Sequence, residues 1–145
     1  LQRVRTAFLP HLADARRVLV VGEGDGRFLA AFLAANPHAA VDVVDGSRAM
    51  LALAARRTGS SPRVRFVAAD VRGDPLPGSG YDLLVTNFVL DCFPPSDLAA
   101  VVPKLAAAVA PGGRWVVGDF RTPPGPPSVL RRAAVKLAVM YAFFR

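Results

Sequence analysis

The chain has 145 residues, of which 52% are hydrophobic and 20% are charged, and its formal net charge is +7. This length predicts one domain, and the composition is too apolar for a disordered chain. Every uninterrupted apolar run is shorter than the ~18 residues that a membrane-spanning helix needs. The single cysteine, Cys92, excludes an internal disulfide framework. Because the chain has only two histidines, His11 and His38, we also predict no metal site. No secretion signal is visible in the sequence, so we expect a cytoplasmic protein.

The positive charge lies at the two ends of the chain. Residues 18–120 carry nine Lys/Arg and ten Asp/Glu, whereas residues 1–17 hold four Arg and one Asp. Residues 121–145 hold five cations and no acid. Because phosphate binding needs clustered cations, the nearly neutral middle argues against a nucleic-acid partner.

Strand and helix patterns alternate along the chain. Aliphatic and β-branched runs predict strands at 17–21, 40–45, 64–68, 81–86 and 114–120. Helical patterns occur at 3–13, 26–35, 47–57, 96–110 and 128–144. Ser47 and Ser96 are the expected N-caps, and Pro111-Gly112-Gly113 is expected to end the helix before it. The segment between the third and fourth strands is too short for a full helix. The alternation predicts an α/β fold with βαβ units, a parallel sheet and right-handed crossovers.

Glycines and polar side chains follow the ends of the predicted strands. In chain order they are the loop Gly22-Glu23-Gly24-Asp25-Gly26, then Asp45 as the last residue of its strand, Asp70, Asn87 with Asp91 four residues on, and Asp119 near the end of the fifth strand. In an open parallel sheet, ligands bind outside the carboxyl ends of the strands, where the strand order reverses. We therefore expect these residues to gather at one edge of the sheet.

Each of these positions has a binding interpretation and a structural one. The glycine spacing lets the backbone approach a ligand, but it also suits a plain strand-to-helix turn. Asp45 can accept hydrogen bonds from both hydroxyls of a ribose, or it can be an acid favoured by a helix N-terminus. Asp70 can accept from the exocyclic amine of an adenine or act as a turn residue. Met50 can cover a purine face or belong to the core, and Asn87 can position a ligand or cap its strand.

Five segments, in this order, resemble the class I S-adenosylmethionine-dependent methyltransferases. They are RVLVVGEGDGRFL, VDVVDGSRAML, FVAADV, YDLLVTNFVLDCF and LAAAVAPGGRWVVGDF. The likeness covers about residues 15–120. It is greatest to the small-molecule branch of the family, which methylates quinone precursors and related metabolites.

The resemblance implies a Rossmann-like, doubly wound parallel sheet of about five strands in the order 3-2-1-4-5, with helices on both faces. It implies a single domain over residues 1–145, with S-adenosylmethionine as cofactor. The methyl group would pass to a small-molecule acceptor by in-line displacement. The family's sixth and seventh strands have no counterpart in this sequence, so the resemblance implies a domain shortened at its C-terminus.

The resemblance also implies which residues meet the cofactor. They are Gly22, Glu23, Gly24, Asp25, Gly26, Asp45, Gly46, Met50, Asp70, Val71 and Asn87. Val20 stands where the family usually has an acid two positions before the first glycine. Glu23 or Asp25 is therefore the expected substitute for contact with the methionine amino group. For a hydroxyl acceptor, Asp91 is the candidate catalytic base.

Two other functions stay open at this point. The first is an NAD(P)-binding reductase, whose cofactor loop has the fingerprint Gly-x-Gly-x-x-Gly or Gly-x-Gly-x-x-Ala. Arg27 occupies the last position of that fingerprint, where a bulky side chain opposes close packing of the helix on the sheet. The segment 128–145 combines Arg131, Arg132 and Lys136 with a broad apolar surface. One alternative is thus a non-catalytic domain whose last helix contacts a membrane surface or a partner, or drives self-association. The other is that this helix simply packs on a face of the sheet.

Overall fold

The computed structural model describes residues 6–59 and 61–119, and within these ranges it has five strands and three α-helices. The strands are β1 (Arg17–Val21), β2 (Ala40–Asp45), β3 (Val64–Ala68), β4 (Tyr81–Asn87) and β5 (Val109–Gly118). The α-helices are α1 (Arg27–Ala35), α2 (Arg48–Thr58) and α3 (Pro95–Ala108). Short 3₁₀ turns occupy Leu9–His11 and Leu90–Cys92.

The five strands form one sheet in the order β3-β2-β1-β4-β5, and every neighbouring pair is parallel. The predicted order is confirmed. The chain steps outward from β1 to β3 and then returns to place β4 on the other side of β1. The strand order therefore reverses between β1 and β4, and a crevice is expected at their carboxyl ends.

Helices cover both faces of the sheet, as predicted. Val18 of β1 belongs to one core cluster with Phe28 of α1 and Leu51 of α2. The next residue, Leu19, belongs to the opposite cluster with Leu105 of α3. Because successive strand residues point to opposite faces, a strand covered on both sides must be apolar throughout, which explains the aliphatic run of β1.

The prediction of an N-terminal α-helix over residues 3–13 is wrong for the part that the structure describes. Residues 6–13 form turns around the 3₁₀ segment Leu9–His11. Pro10 has no backbone N–H and cannot donate to the carbonyl of Thr6, so an α-helix would lack that hydrogen bond.

Two other boundaries differ from the sequence pattern at α3. The helix starts at Pro95 with Pro94 as its N-cap, so Ser96 lies in the first turn and is not the cap. Pro at the first helical position loses no hydrogen bond, because that N–H has no partner within a helix. The helix already ends at Ala108, before the residues that were expected to end it.

The segment Pro111-Gly112-Gly113 lies inside β5. The strand pairs Val109 with Tyr81 and then Arg114 with Leu83, so β5 has three more residues than β4 between these two pairs. These residues form an irregular bulge instead of the predicted helix stop.

Other local predictions are confirmed. Ser47 caps α2, with its Oγ accepting from the backbone N of Met50 at 3.3 Å. The chain between β3 and β4 contains no helix.

The predicted last helix at 128–144 and the implied shortening of the domain after β5 concern residues outside the described ranges. Among the helices that are described, none combines the length and apolarity required to cross a bilayer.

Candidate functional site

A cleft of about 770 Å³ opens at the carboxyl ends of the strands. Eight of the residues predicted for the site line it: Gly22, Gly24, Asp45, Gly46, Met50, Asp70, Val71 and Asp91. Asp45 is the last residue of β2, and the others come from the segments that follow β1, β2, β3 and β4. The topology thus brings together residues that are up to 69 positions apart in the chain.

The first and last glycines of the loop after β1 are required by packing. Gly22 has a φ of +69°, and an added Cβ would lie 2.5 Å from the Cβ of Val89. Gly26 has a φ of +84° at the N-cap of α1, where an added Cβ would lie 2.6 Å from the Cα of Ala54 in α2. Only glycine adopts this backbone conformation without strain and allows approaches this close. Gly22 lines the cleft, whereas Gly26 is not among the lining residues.

The middle glycine of the loop contacts the acid at the end of β2. Gly24 donates its backbone N–H to Oδ2 of Asp45 at 3.4 Å, and Ser47 donates its N–H to Oδ1 at 2.8 Å. These two contacts hold the carboxylate between the glycine loop and the start of α2. A carboxylate has about four lone-pair sites, so Asp45 keeps acceptor capacity toward a ligand in the cleft.

Asp70, after β3, is paired with an arginine that no sequence motif marks. Its carboxylate accepts from the backbone N of Arg72 at 3.0 Å and from the guanidinium Nη2 at 2.7 Å. The hydrogen bonds from Arg72 lower the pKa of Asp70 from 3.8 to about 2. The same guanidinium reaches Asp97 of α3 at 3.4 Å and lies 5.9 Å from the centre of the Phe93 ring. Asp70 is therefore an ionised group that can only accept hydrogen bonds.

The segment after β4 forms another wall of the cleft, lined by Phe88, Val89 and Phe93 together with Asp91 and Cys92. Phe88 has a φ of +58° and is 7% exposed, and its N–H donates to Gly118 O at 2.6 Å. A bulky residue in this backbone region is strained, so the surrounding contacts must hold it there. Nothing in the sequence signals this turn, because no glycine marks it.

Three predicted cofactor residues besides Gly26 are not on the cleft wall. Glu23 is 2% exposed, and its Oε1 accepts from the backbone N of Leu29 at 2.9 Å. Asp25 forms an ion pair with Arg57 of α2 at 3.2 Å. Asn87 is 3% exposed, and its Nδ2 has no hydrogen-bond partner among the described residues. A role for these side chains in cofactor binding stays a prediction.

The cleft carries an excess of acid. Its charged lining residues are Asp45, Asp70, Asp74 and Asp91 against Arg48 and Arg72. Such a lining favours a ligand with positive charge. Within residues 6–59 and 61–119, no group of three or more His, Cys, Asp or Glu side chains is arranged to hold a metal ion.

Comparison with known proteins gives a match over most of the chain. The profile of a family described as a methyltransferase domain matches residues 18–113. Demethylspheroidene O-methyltransferase of Rhodobacter capsulatus is 33% identical over 114 residues, which is 79% of this chain and 28% of that protein. Demethylmenaquinone methyltransferase of Clavibacter sepedonicus is 32% identical over 126 residues, which is 87% of this chain and 50% of that protein.

A solved structure with the same fold has the methyl donor bound. It is CalS10, an amino pentose methyltransferase from Micromonospora echinaspora involved in calicheamicin biosynthesis. It is 32% identical with a TM-score of 0.64, over 84% of this chain and 49% of that one. The chain thus spans half or less of each of these three proteins. Because the matched residues 18–113 contain β2 to β4, nearly all of β1 and every predicted site residue, we conclude that the chain belongs to this methyltransferase domain family.

Proposed function

We propose that this chain is the cofactor-binding domain of an S-adenosylmethionine-dependent methyltransferase that acts on a small molecule. The observation that carries the proposal is the Asp45 carboxylate, held between the N–H groups of Gly24 and Ser47 on the wall of the cleft. The relatives named above are methyltransferases, and CalS10 binds S-adenosylmethionine.

The residues of the cleft suit S-adenosylmethionine. A volume of about 770 Å³ lies within the ~300–1,000 Å³ typical of small-ligand pockets. The excess of acid favours a sulfonium cation. Asp45 offers acceptors to the two ribose hydroxyls. Asp70, ionised because its pKa is about 2, offers an acceptor to the exocyclic amine of the adenine.

S-adenosylmethionine supplies a methyl group that its sulfonium already activates, so the protein's task is to bind and orient the reactants. Asp45, supported by the N–H of Gly24, would hold the ribose, and Asp70, with Val71 beside it, would hold the base. Proximity and orientation can contribute ~7–11 kcal/mol toward such a barrier. As the acceptor oxygen takes the methyl group and S-adenosylhomocysteine leaves, Asp91, exposed on the cleft wall, would take the proton of the hydroxyl.

The proposed acceptor is a largely apolar small molecule with a hydroxyl group, of the quinone-precursor kind. Three side chains support this choice, because Phe88, Val89 and Phe93 give the wall an apolar surface beside Asp91. The names of two relatives refer to demethylspheroidene and demethylmenaquinone.

Thermal shift and calorimetry test the cofactor directly. S-adenosylhomocysteine should raise the midpoint of unfolding by mass action, whereas NADH at the same concentration should not. Transfer of a labelled methyl group to hydroxylated quinone precursors then tests the acceptor. A shift with NADH and none with S-adenosylhomocysteine would favour the reductase over the methyltransferase.

A separate proposal concerns residues 128–145, which lie outside the described ranges. The sequence of this segment, in which Arg131, Arg132 and Lys136 stand among mostly apolar residues, supports peripheral contact with an anionic membrane, or self-association. Co-sedimentation with anionic liposomes, compared with light scattering of the free protein, distinguishes the two. A cytoplasmic location stays a prediction from the sequence.

A further inference from the structure

The turn that carries Asp70 is closed on itself. The carbonyl of Asp70 accepts from the backbone N of Gly73 at 3.1 Å and from that of Asp74 at 2.8 Å. The carboxylate of Asp74 accepts in return from the backbone N of Asp70 at 2.9 Å. Residues 70–74 therefore form a compact unit, and its contacts with the neighbouring elements determine where Asp70 sits in the cleft.

A lysine of α3 supplies one of these contacts. Lys104 is partly buried, and its ammonium donates to Val71 O at 2.8 Å and also to Asp74 O. The side chain of Val71 lies in the same core cluster as Leu105 of α3. Two carbonyls at opposite ends of the turn are thus bound to one cation, and hydrogen bonds from a charged donor are about twice as strong as neutral ones.

Lys104 itself is not among the residues that line the cleft, so it has no direct contact to offer a ligand there. Its ammonium also lowers the pKa of Asp70, although Arg72 contributes more. Binding groups must be held to within about 0.5 Å of their productive position, and that precision comes from the residues behind them.

We propose that Lys104 is a positioning residue for the base of the cofactor: it fixes the 70–74 turn to α3 and so places the Asp70 carboxylate against the exocyclic amine. This inference rests on the proposed function. It predicts that Lys104 affects discrimination between bases, because a misplaced carboxylate no longer distinguishes an amine from a carbonyl oxygen at the same ring position.

The test compares two variants that each remove a cation bound to two backbone carbonyls. Lys104→Met keeps an unbranched side chain and removes the ammonium. The matched control is Arg63→Met, because Arg63 Nη1 donates to Asn36 O at 3.1 Å and Ala39 O at 3.3 Å, away from the cleft residues. The ligands are S-adenosylhomocysteine and S-inosylhomocysteine, in which a carbonyl oxygen replaces the exocyclic amine.

We expect Lys104→Met to raise the Kd for S-adenosylhomocysteine by roughly tenfold, the loss of about one charged hydrogen bond, and to leave the inosine analogue within about twofold. Lys104→Arg, which can still donate to both carbonyls, should restore the preference. Arg63→Met should lower the thermal midpoint without changing the ratio of the two affinities. An unchanged ratio in Lys104→Met would overturn the proposal.

Amide hydrogen exchange without ligand gives an independent readout. In Lys104→Met, the amides of Gly73 and Asp74 should exchange several-fold faster than in the wild type, because the turn opens more often. Unchanged exchange rates would overturn the role of Lys104 but would not affect the proposed function. Failure of the wild type to bind either nucleoside would instead overturn the proposed function, and with it the role of Lys104 toward a base.

Discussion

Replacing Asp45 with asparagine changes the chemistry of the proposed ribose site and leaves its shape nearly intact. The carboxylate accepts from Ser47 N at 2.8 Å and from Gly24 N at 3.4 Å. Asparagine has only one acceptor oxygen. If that oxygen keeps the shorter bond to Ser47, the new NH₂ group faces the N–H of Gly24, and two donors oppose each other.

The two free energies affected by Asp45→Asn should differ in size. The contact to Gly24 is long, so its loss should lower the free energy of unfolding by about 0.5–1.5 kcal/mol. A bound ribose would lose charge-assisted hydrogen bonds that are worth about 1.5–3 kcal/mol each, while the amide oxygen preserves part of the interaction. We therefore expect the cofactor to bind about 2–4 kcal/mol more weakly, which is roughly a 30- to 1,000-fold rise in Kd.

Calorimetric titration with S-adenosylhomocysteine and urea unfolding measure the two effects separately. The matched control is Asp82→Asn, because Asp82 also accepts from two backbone N–H groups, those of Arg16 at 2.8 Å and Arg17 at 3.0 Å. Asp82 does not line the cleft, so this variant should lose stability without losing affinity. Equal Kd values for Asp45→Asn and the wild type would refute the assignment of Asp45 to the ribose.

Three further predictions follow from the geometry. Gly22→Ala should lower the free energy of unfolding by about 2–5 kcal/mol, because a left-handed backbone costs ~1–2 kcal/mol and overpacking costs ~1–3 kcal/mol. The control is Gly73→Ala, whose new Cβ would have nothing within 4 Å. Urea unfolding measures the stability of both variants. Arg72→Met should raise the pKa of Asp70 from about 2 toward 3.8, measured by NMR titration of the carboxyl carbon. Since this pKa is lower in the folded than in the unfolded protein, the pair stabilises the fold above about pH 4 and loses that effect as the pH falls toward 2. The variant should show a weaker dependence, because the backbone N–H of residue 72 still donates to the carboxylate. Asp91→Asn should lower kcat for a hydroxyl acceptor by about 10²–10⁴-fold with the Kd of S-adenosylhomocysteine unchanged, and equal turnover would exclude Asp91 as the base.

The strands and their arrangement could be predicted because a strand that is buried on both faces of the sheet has an almost continuous aliphatic sequence. The aliphatic runs of β1 to β4 match the structure to within one residue. β5 was harder, because Pro111-Gly112-Gly113 has the composition of a turn. Only pairing with β4 shows that this segment is a bulge within a strand, and pairing is not visible in a single sequence.

The site was predictable to the extent that sheet topology determines it. Asp45 ends β2 and Asp70 follows β3, so their meeting at one edge follows from parallel pairing. The contacts that a side chain makes do not follow from its position in the sequence in this way. Asp25 is next to Gly24 in the loop, but its side chain is ion-paired with Arg57 of α2. The strained Phe88 and the distant Lys104 were not predicted, because both act through tertiary contacts and no local pattern marks them.

The glycine loop also bears on the distinction between this family and the dinucleotide-binding enzymes. In the dinucleotide fingerprint, the last glycine allows close packing of the helix against the sheet. Here Arg27 occupies that position, and its side chain is 48% exposed and paired with Asp25 at 2.8 Å. The close approach occurs one residue earlier, at Gly26, and its neighbour is Ala54 of the helix α2 instead of the sheet. The end of the loop therefore packs the start of α1 against α2 on one face of the sheet, while its middle residue, Gly24, contacts Asp45 on the cleft wall.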